Sequence, residues 1–127
     1  MSQKDDDAQF ELALACRNSG RDSEARSILE QMLSQNPQPS AVYAVLGNIY
    51  WDQKSYLEAV DIFRKGTVIA PQNEVLSLGL FHSLWESDRK EEALAEIHRF
   101  LELCHCDDYV EILRELTESS GGSADDR

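Results

Sequence analysis

Long apolar runs are missing from this sequence, and residues that break helices are few. No stretch approaches the roughly 18 apolar residues that a membrane-spanning helix needs. Three prolines and six glycines among 127 residues leave little of the middle composed like a disordered chain. Three cysteines are an odd set for a disulfide framework, so the reducing cytoplasm is the expected location. Positive charge is scarce: 12 lysines and arginines stand against 24 aspartates and glutamates, a net charge of −12. Such a surface repels nucleic-acid phosphates and anionic lipid headgroups, so neither nucleic acid nor a membrane is expected as a partner. The polar start, with Asp5, Asp6 and Asp7, does not have the pattern of a signal peptide.

Catalytic patterns are missing as well. There is no serine or cysteine elbow, no glycine-rich phosphate cradle and no His-Glu-x-x-His pair. The carboxylates are spread along helix faces, as on a solvated surface, and no general acid–base pair stands out. The chain is read as a non-enzyme without a cofactor. Its one cluster of soft ligands is Cys104-His105-Cys106-Asp107 with His98 upstream. Zinc favours tetrahedral Cys/His coordination, but a Cys-x-Cys bite is strained and no second knuckle follows. His98, Cys104, His105 and Cys106 are weak metal candidates, and the competing reading is a helix end with a buried Cys104. Cys16 reads as a small core hydrophobe.

What the sequence does contain is a period of thirty-four residues. Ala25, Ala59 and Ala93 fall on it; so do Leu12, Leu46 and Leu80; Leu29, Phe63 and Ile97; Cys16, Tyr50 and Leu84; and the pair Pro37 and Pro71. A turn precedes each Glu-Ala at Gly20–Ala25, Lys54–Ala59 and Asp88–Ala93. Between these markers, apolar residues recur at helical spacing. Val42, Leu46, Ile49 and Tyr50 share one face, and Ala59, Ile62, Phe63 and Gly66 share the next. Each unit is therefore two helices joined by a short turn. Ala13, Ala25, Gly47, Ala59 and Ala93 are placed where paired helices cross, because small side chains let the axes approach. Ser40 is the expected N-cap of the second unit's first helix, and Pro71 ends that unit.

On these residues the chain resembles the tetratricopeptide repeat family. The second unit, about 40–73, matches its pattern with Tyr43, Leu46, Gly47, Tyr50, Ala59, Phe63 and Pro71. The first, about 6–39, keeps Leu12, Ala13, Ala25, Leu29 and Pro37 but has Cys16 at an aromatic place. The third, about 74–107, has Phe81 where a small residue is usual and His105 where proline is usual, so a distorted crossing is expected there. The resemblance implies an all-α fold, a right-handed superhelix of three helical hairpins. A capping helix, about 108–118, places Val110, Leu113 and Leu116 at helical spacing. Residues 1–5 are expected to be a flexible start and 119–127 a disordered tail.

The resemblance also implies a concave wall lined by the first helix of each unit. The residues on that wall are Phe10, Leu14 and Arg17, then Ala44, Asn48, Trp51 and Asp52, then Leu78, His82, Trp85 and Glu86. Trp51 and Trp85 are thirty-four residues apart and should stand in one column, as anchors for a peptide or helix. The competing reading packs both indoles against the next unit. Some members of the family hold the C-terminal carboxylate of heat-shock chaperones with basic and asparagine side chains. Those places here hold Phe10, Leu14, Val45, Val75 and Gly79, so that clamp is absent. An apolar groove rimmed by Glu11, Asp52 and Glu86 points to a hydrophobic or basic segment of another protein. The function expected is that of an assembly or secretion-chaperone-like scaffold. The alternatives are an acidic immunity-type inhibitor of a basic toxin, a metal-binding sensor, and weak self-association through an incompletely capped end repeat.

Overall fold

The computed structural model describes residues 3–125, with side chains described for 5–118. Among the described residues there are seven α-helices and no strand. They are α1 (Gln3–Asn18), α2 (Asp22–Gln35), α3 (Ser40–Asp52), α4 (Tyr56–Ile69), α5 (Glu74–Glu86), α6 (Lys90–Leu103) and α7 (Asp107–Asp125). The first six form three antiparallel hairpins stacked in chain order, and α7 follows as the cap. The hairpin turns repeat one geometry. Gly20, Lys54 and Asp88 all have positive φ. After them the amides of Arg21, Ser55 and Arg89 reach back to the carbonyls of Cys16, Tyr50 and Leu84 at 2.8, 2.9 and 2.8 Å. This six-to-one bond satisfies carbonyls that a helix end would otherwise leave open.

One ring holds the middle of the array together. Phe63 of α4 is 1% exposed and lies against two glycines, Gly47 of α3 and Gly79 of α5. A Cβ at Gly47 would meet its ring at 2.6 Å, and one at Gly79 would meet it at 2.4 Å. Gly66 does the same for the next contact, where a Cβ would meet Leu76 at 2.9 Å. Helices α3, α4 and α5 therefore close on one another because three side chains are missing. The third unit moves the bulk elsewhere. The place of Phe63 holds Ile97, the place of Gly47 holds Phe81, and both are buried in the same cluster. At the crossing expected to be distorted, the bulky Phe81 is accommodated in the core.

Several expectations change at the ends of elements. Ser40 is the first helical residue, with Pro39 at the cap and no side-chain cap bond; the fixed φ of proline leads into the helix. The N-cap bond is made one unit later, where Asn73 Oδ1 accepts from the Leu76 amide at 3.1 Å. Leu46 and Leu80 are 0% and 3% exposed, but Leu12 in the same column is 54% exposed. Those leucines face the second helix of the unit before, and no described helix precedes α1. Within the stretch 1–5 expected to be flexible, α1 begins at Gln3, with Asp5 and Asp6 in its first turn, where carboxylates favour the helix dipole. The tail expected from 119 is helical as far as Asp125; a formed helix propagates at one hydrogen bond per residue fixed. Residues 1–2 and 126–127 lie outside the described residues.

Of the residues expected to seat the cap, Leu113 packs on the core and Leu116 is half-buried, but Tyr109 takes the place expected of Val110. Val110 is 47% exposed, whereas Tyr109 is fully buried, with Ile112 and Leu113 packed beside it. Tyr109 stands edge-on to Phe81 and Phe100, each at 5.8 Å. Its hydroxyl lies 2.7 Å from Ser77 Oγ, and Ser77 donates to Glu96 Oε2 at 2.6 Å. Arg99 closes on the same carboxylate at 2.7 and 2.6 Å and donates to the Pro71 carbonyl at 3.0 Å. The buried carboxylate is thus paired and its lone pairs are used, as burial of a charge requires. Burial pushes the Tyr109 hydroxyl well above the ordinary tyrosine range, so it stays a neutral donor.

Two measurements check this packing. Gly79→Ala is expected to destabilise the protein by about 1–3 kcal/mol through overpacking, although alanine favours helix by about 1 kcal/mol; urea unfolding would show it. Tyr109→Phe, which keeps the ring and removes the hydroxyl, is expected to cost about 1 kcal/mol and to raise hydrogen exchange in α7 more than in α3. Equal protection in α7 before and after would count against the hydroxyl as its anchor.

Candidate functional site

Between α3 and α5 the concave side holds a cavity of about 430 Å³, lined by Asn48, Trp51, Phe63, Val75, Leu78, Gly79 and His82. Phe63 on Gly79 makes its floor. Trp51 is half-buried and stands edge-on to Tyr56 at 4.9 Å and to His82 at 6.2 Å. Val75 is 58% exposed at the mouth. The cavity forms here because α5 carries Gly79 where α3 carries Val45, which is packed against the first core cluster.

This difference sorts the expected wall residues. Asn48, Trp51, Leu78 and His82 are brought together. Phe10 is not among them; it packs on the first core cluster and lines a separate cavity of about 370 Å³ with Asp7, Met32, Asn36 and Pro39. Leu14 is half-buried on α1 and does not line the α3–α5 cavity. Ala44 packs against the core. Arg17 donates to Asp52 at 3.1 Å, so these two tie α1 to α3. Trp85 also leaves the cavity: it lies 5.8 Å from Phe81 with the Lys90 ammonium 5.1 Å over its ring. Glu86 is exposed on the rim.

His82 is shaped by its neighbours. Removal of water from around the imidazole lowers its pKa below the ordinary histidine value, against Glu86 and then Asp108, which pull it up. The ring is therefore neutral near pH 7. No lysine or arginine occurs in α3 or α5, so both cavity walls lack cations.

A second concavity of about 500 Å³ lies on the α4–α6 side, with Val68, Leu80 and Leu84 among its lining. Its charges are already matched, Arg64 to Glu92 at 3.4 Å and Arg99 to Glu96. The metal candidates do not assemble. Among the described residues no group of three His, Cys, Asp or Glu side chains could hold an ion. His98 is exposed on α6, Cys104 packs against the core and Cys106 is 1% exposed beneath α7. Burial pushes the Cys106 thiol up, and His105 instead pairs with Asp107 at 2.5 Å. The three cysteines are free.

Sequence reading missed Val75, Gly79 and Phe63 as cavity lining, and Ser77, Glu96, Arg99 and Tyr109 as the anchor of the cap. Gly79 carried a usable signal: a glycine inside a helix costs about 1 kcal/mol, so it points to a close contact. The anchor carried none, because its members lie on three different helices, α5, α6 and α7.

Known proteins share this architecture. Two models of the tetratricopeptide repeat match the chain, over residues 6–49 and 40–73. The human Superkiller complex protein 3 is 33% identical over 102 residues, which are 77% of this chain and 6% of that protein. The chain thus spans a small part of that relative. Among solved structures, the N-terminal domain of stress-induced protein-1 from C. elegans superposes with a TM-score of 0.76 at 15% identity, covering 87% of this chain and 92% of that one. The first TPR of Spaghetti (RPAP3), bound to the HSP90 peptide SRMEEVD, gives 0.73 at 15% identity, covering 90% and 94%. A crystal structure of MamA gives 0.70 at 19% identity, covering 76% and 52%.

The depressed His82 pKa fixes the sign of a pH effect. The unfolded chain takes up a proton near pH 6.5 while the folded protein does so only at lower pH. The stability that His82 contributes is therefore present above about pH 6.5 and lost as pH falls through the folded pKa. Nuclear magnetic resonance titration of the His82 ring should give a midpoint below about 6.5. His82→Gln should flatten the change in urea midpoint between pH 7 and pH 5. An unchanged slope would remove His82 as its source.

Proposed function

The chain belongs to the tetratricopeptide repeat family, and on that premise we propose that its α3–α5 cavity binds a hydrophobic or basic segment of another protein, with no catalytic step. One observation carries the reading: an open apolar cavity with Trp51 on its wall and no cation on either helix that forms it. Apolar concavities with a few polar groups at the edge are the usual form of a binding site. Exposed Val75 and half-buried Leu78 offer surface that a partner's aliphatic side chain would cover. The Spaghetti domain, in its solved structure, holds an acidic peptide. Val75 and Gly79 supply no positive charge for such a peptide, and Glu86 at the rim opposes it. The reading is of an assembly or chaperone-like scaffold in the cytoplasm, where its free thiols would remain reduced.

The test is calorimetric titration with two peptides, the acidic SRMEEVD and a leucine-rich peptide of the same length carrying lysines. The basic peptide is expected to bind and SRMEEVD to show no heat of binding. Val75→Asp, at an exposed position that leaves the core intact, should weaken the basic peptide about tenfold or more, the scale of a lost anchor side chain. Binding of SRMEEVD in preference to the basic peptide would overturn the proposal.

A further inference from the structure

Trp51 and Trp85 occupy equivalent places in successive units, yet their faces have different company. The residue five positions after Trp85 is Lys90, whose ammonium lies 5.1 Å over the indole. The residue five positions after Trp51 is Tyr56, whose ring stands edge-on at 4.9 Å. Among the described residues no lysine or arginine is found over Trp51. The fold thus sets a cation on one tryptophan and an aromatic ring, Tyr56, at the corresponding place beside the other. That second indole lines the open cavity with Val75 and Leu78.

We propose that Trp51 is the subsite for one lysine or arginine side chain of the partner segment, seated on the indole while an adjacent apolar residue lies against Val75 and Leu78. This rests on the groove reading and narrows it to a basic residue beside a hydrophobic one. Cations are attracted to the face of an indole by its quadrupole, more strongly when water is excluded. Charge complementarity points the same way. Helices α3 and α5 contain Asp52, Glu74 and Glu86 and no basic residue. Arg17, which reaches α3 from α1, is engaged with Asp52 at 3.1 Å. Glu86 and Asp108 both act on His82, so both lie near this end of the cavity. The imidazole itself adds no positive charge near neutral pH. An incoming guanidinium would meet an aromatic face and a carboxylate rim with nothing to repel it.

The test uses a six-residue, acetylated and amidated leucine-rich peptide with arginine, norleucine or glutamate at one central position. Each is titrated into the full chain while the indole N–H resonances of Trp51 and Trp85 are followed. The arginine peptide is expected to move Trp51 and not Trp85, and to bind about tenfold more tightly than the norleucine peptide. The glutamate peptide should bind most weakly. Trp51→Leu should reduce the arginine preference to about twofold or less, with Trp51→Phe intermediate, since a phenyl ring attracts a cation less than indole. Circular dichroism would verify that both variants remain folded. Equal binding of the arginine and norleucine peptides in the cavity would overturn the subsite and leave the groove reading standing. An arginine preference that survives Trp51→Leu also overturns it, because the carboxylates alone would then select. If no peptide moves the resonances of Trp51, Val75 or Leu78, both the subsite and the groove reading fail.

Discussion

The position of one phenyl ring against two glycines governs the middle of this array. Phe63 lies so close to Gly47 and Gly79 that a single added carbon at either place would overlap its ring. That contact draws α3, α4 and α5 together and makes the floor of the cavity at the same time. Core packing and binding surface are therefore two sides of one ring. The same place on α3 carries Val45, packed on the first core cluster, and Phe10 and Leu14 do not line the α3–α5 cavity. A close-packed interior transmits a change of one side chain into the spacing of whole helices.

The ends of the array solve a different problem. A repeat buries its apolar face only against a neighbour, so the terminal units must depart from the pattern. At the start, Leu12 keeps the leucine of its column but is 54% exposed, with no described helix packed over it. At the other end α7 supplies Tyr109, which reaches the place left small by Ser77. In the second unit Tyr43 fills the corresponding place and donates to the Pro37 carbonyl at 2.8 Å. The third unit thus borrows from the cap an aromatic that the second unit supplies itself. Ser77 bonds that borrowed hydroxyl and is itself held by the Glu96–Arg99 pair through charge-assisted bonds, which are stronger than neutral ones.

Charge follows the same division between walls. The second helices α2, α4 and α6 carry cations matched to acids, as in Arg26 with Glu30 at 3.5 Å, Lys65 with Asp61 at 3.1 Å and Arg99 with Glu96 at 2.6 Å. Helices α3 and α5 have acids alone. A net charge of −12 says only that the surface is acidic; on these two helices Asp52 is matched by Arg17, whereas Glu86 lies near His82 with no cation on its own helix. An uncompensated rim of one sign steers an oppositely charged partner more than it adds affinity.

Much of the fold was legible in the sequence because the repeat is written in local spacing. Helical periodicity, the turns before Ala25, Ala59 and Ala93, and the small residues at Gly47 and Ala59 each follow from what a helix or a crossing requires of its own residues. The family and the hairpin order come from that. The tertiary structure alone decided which equivalent residues share a fate. Trp51 opens on the cavity and Trp85 lies under Lys90, although one register places both. Val110 is outside and Tyr109 inside, although helical spacing admits either face. The reason is physical: periodicity fixes the direction in which a side chain leaves its helix, whereas its burial and charge partners depend on what another segment brings across from it.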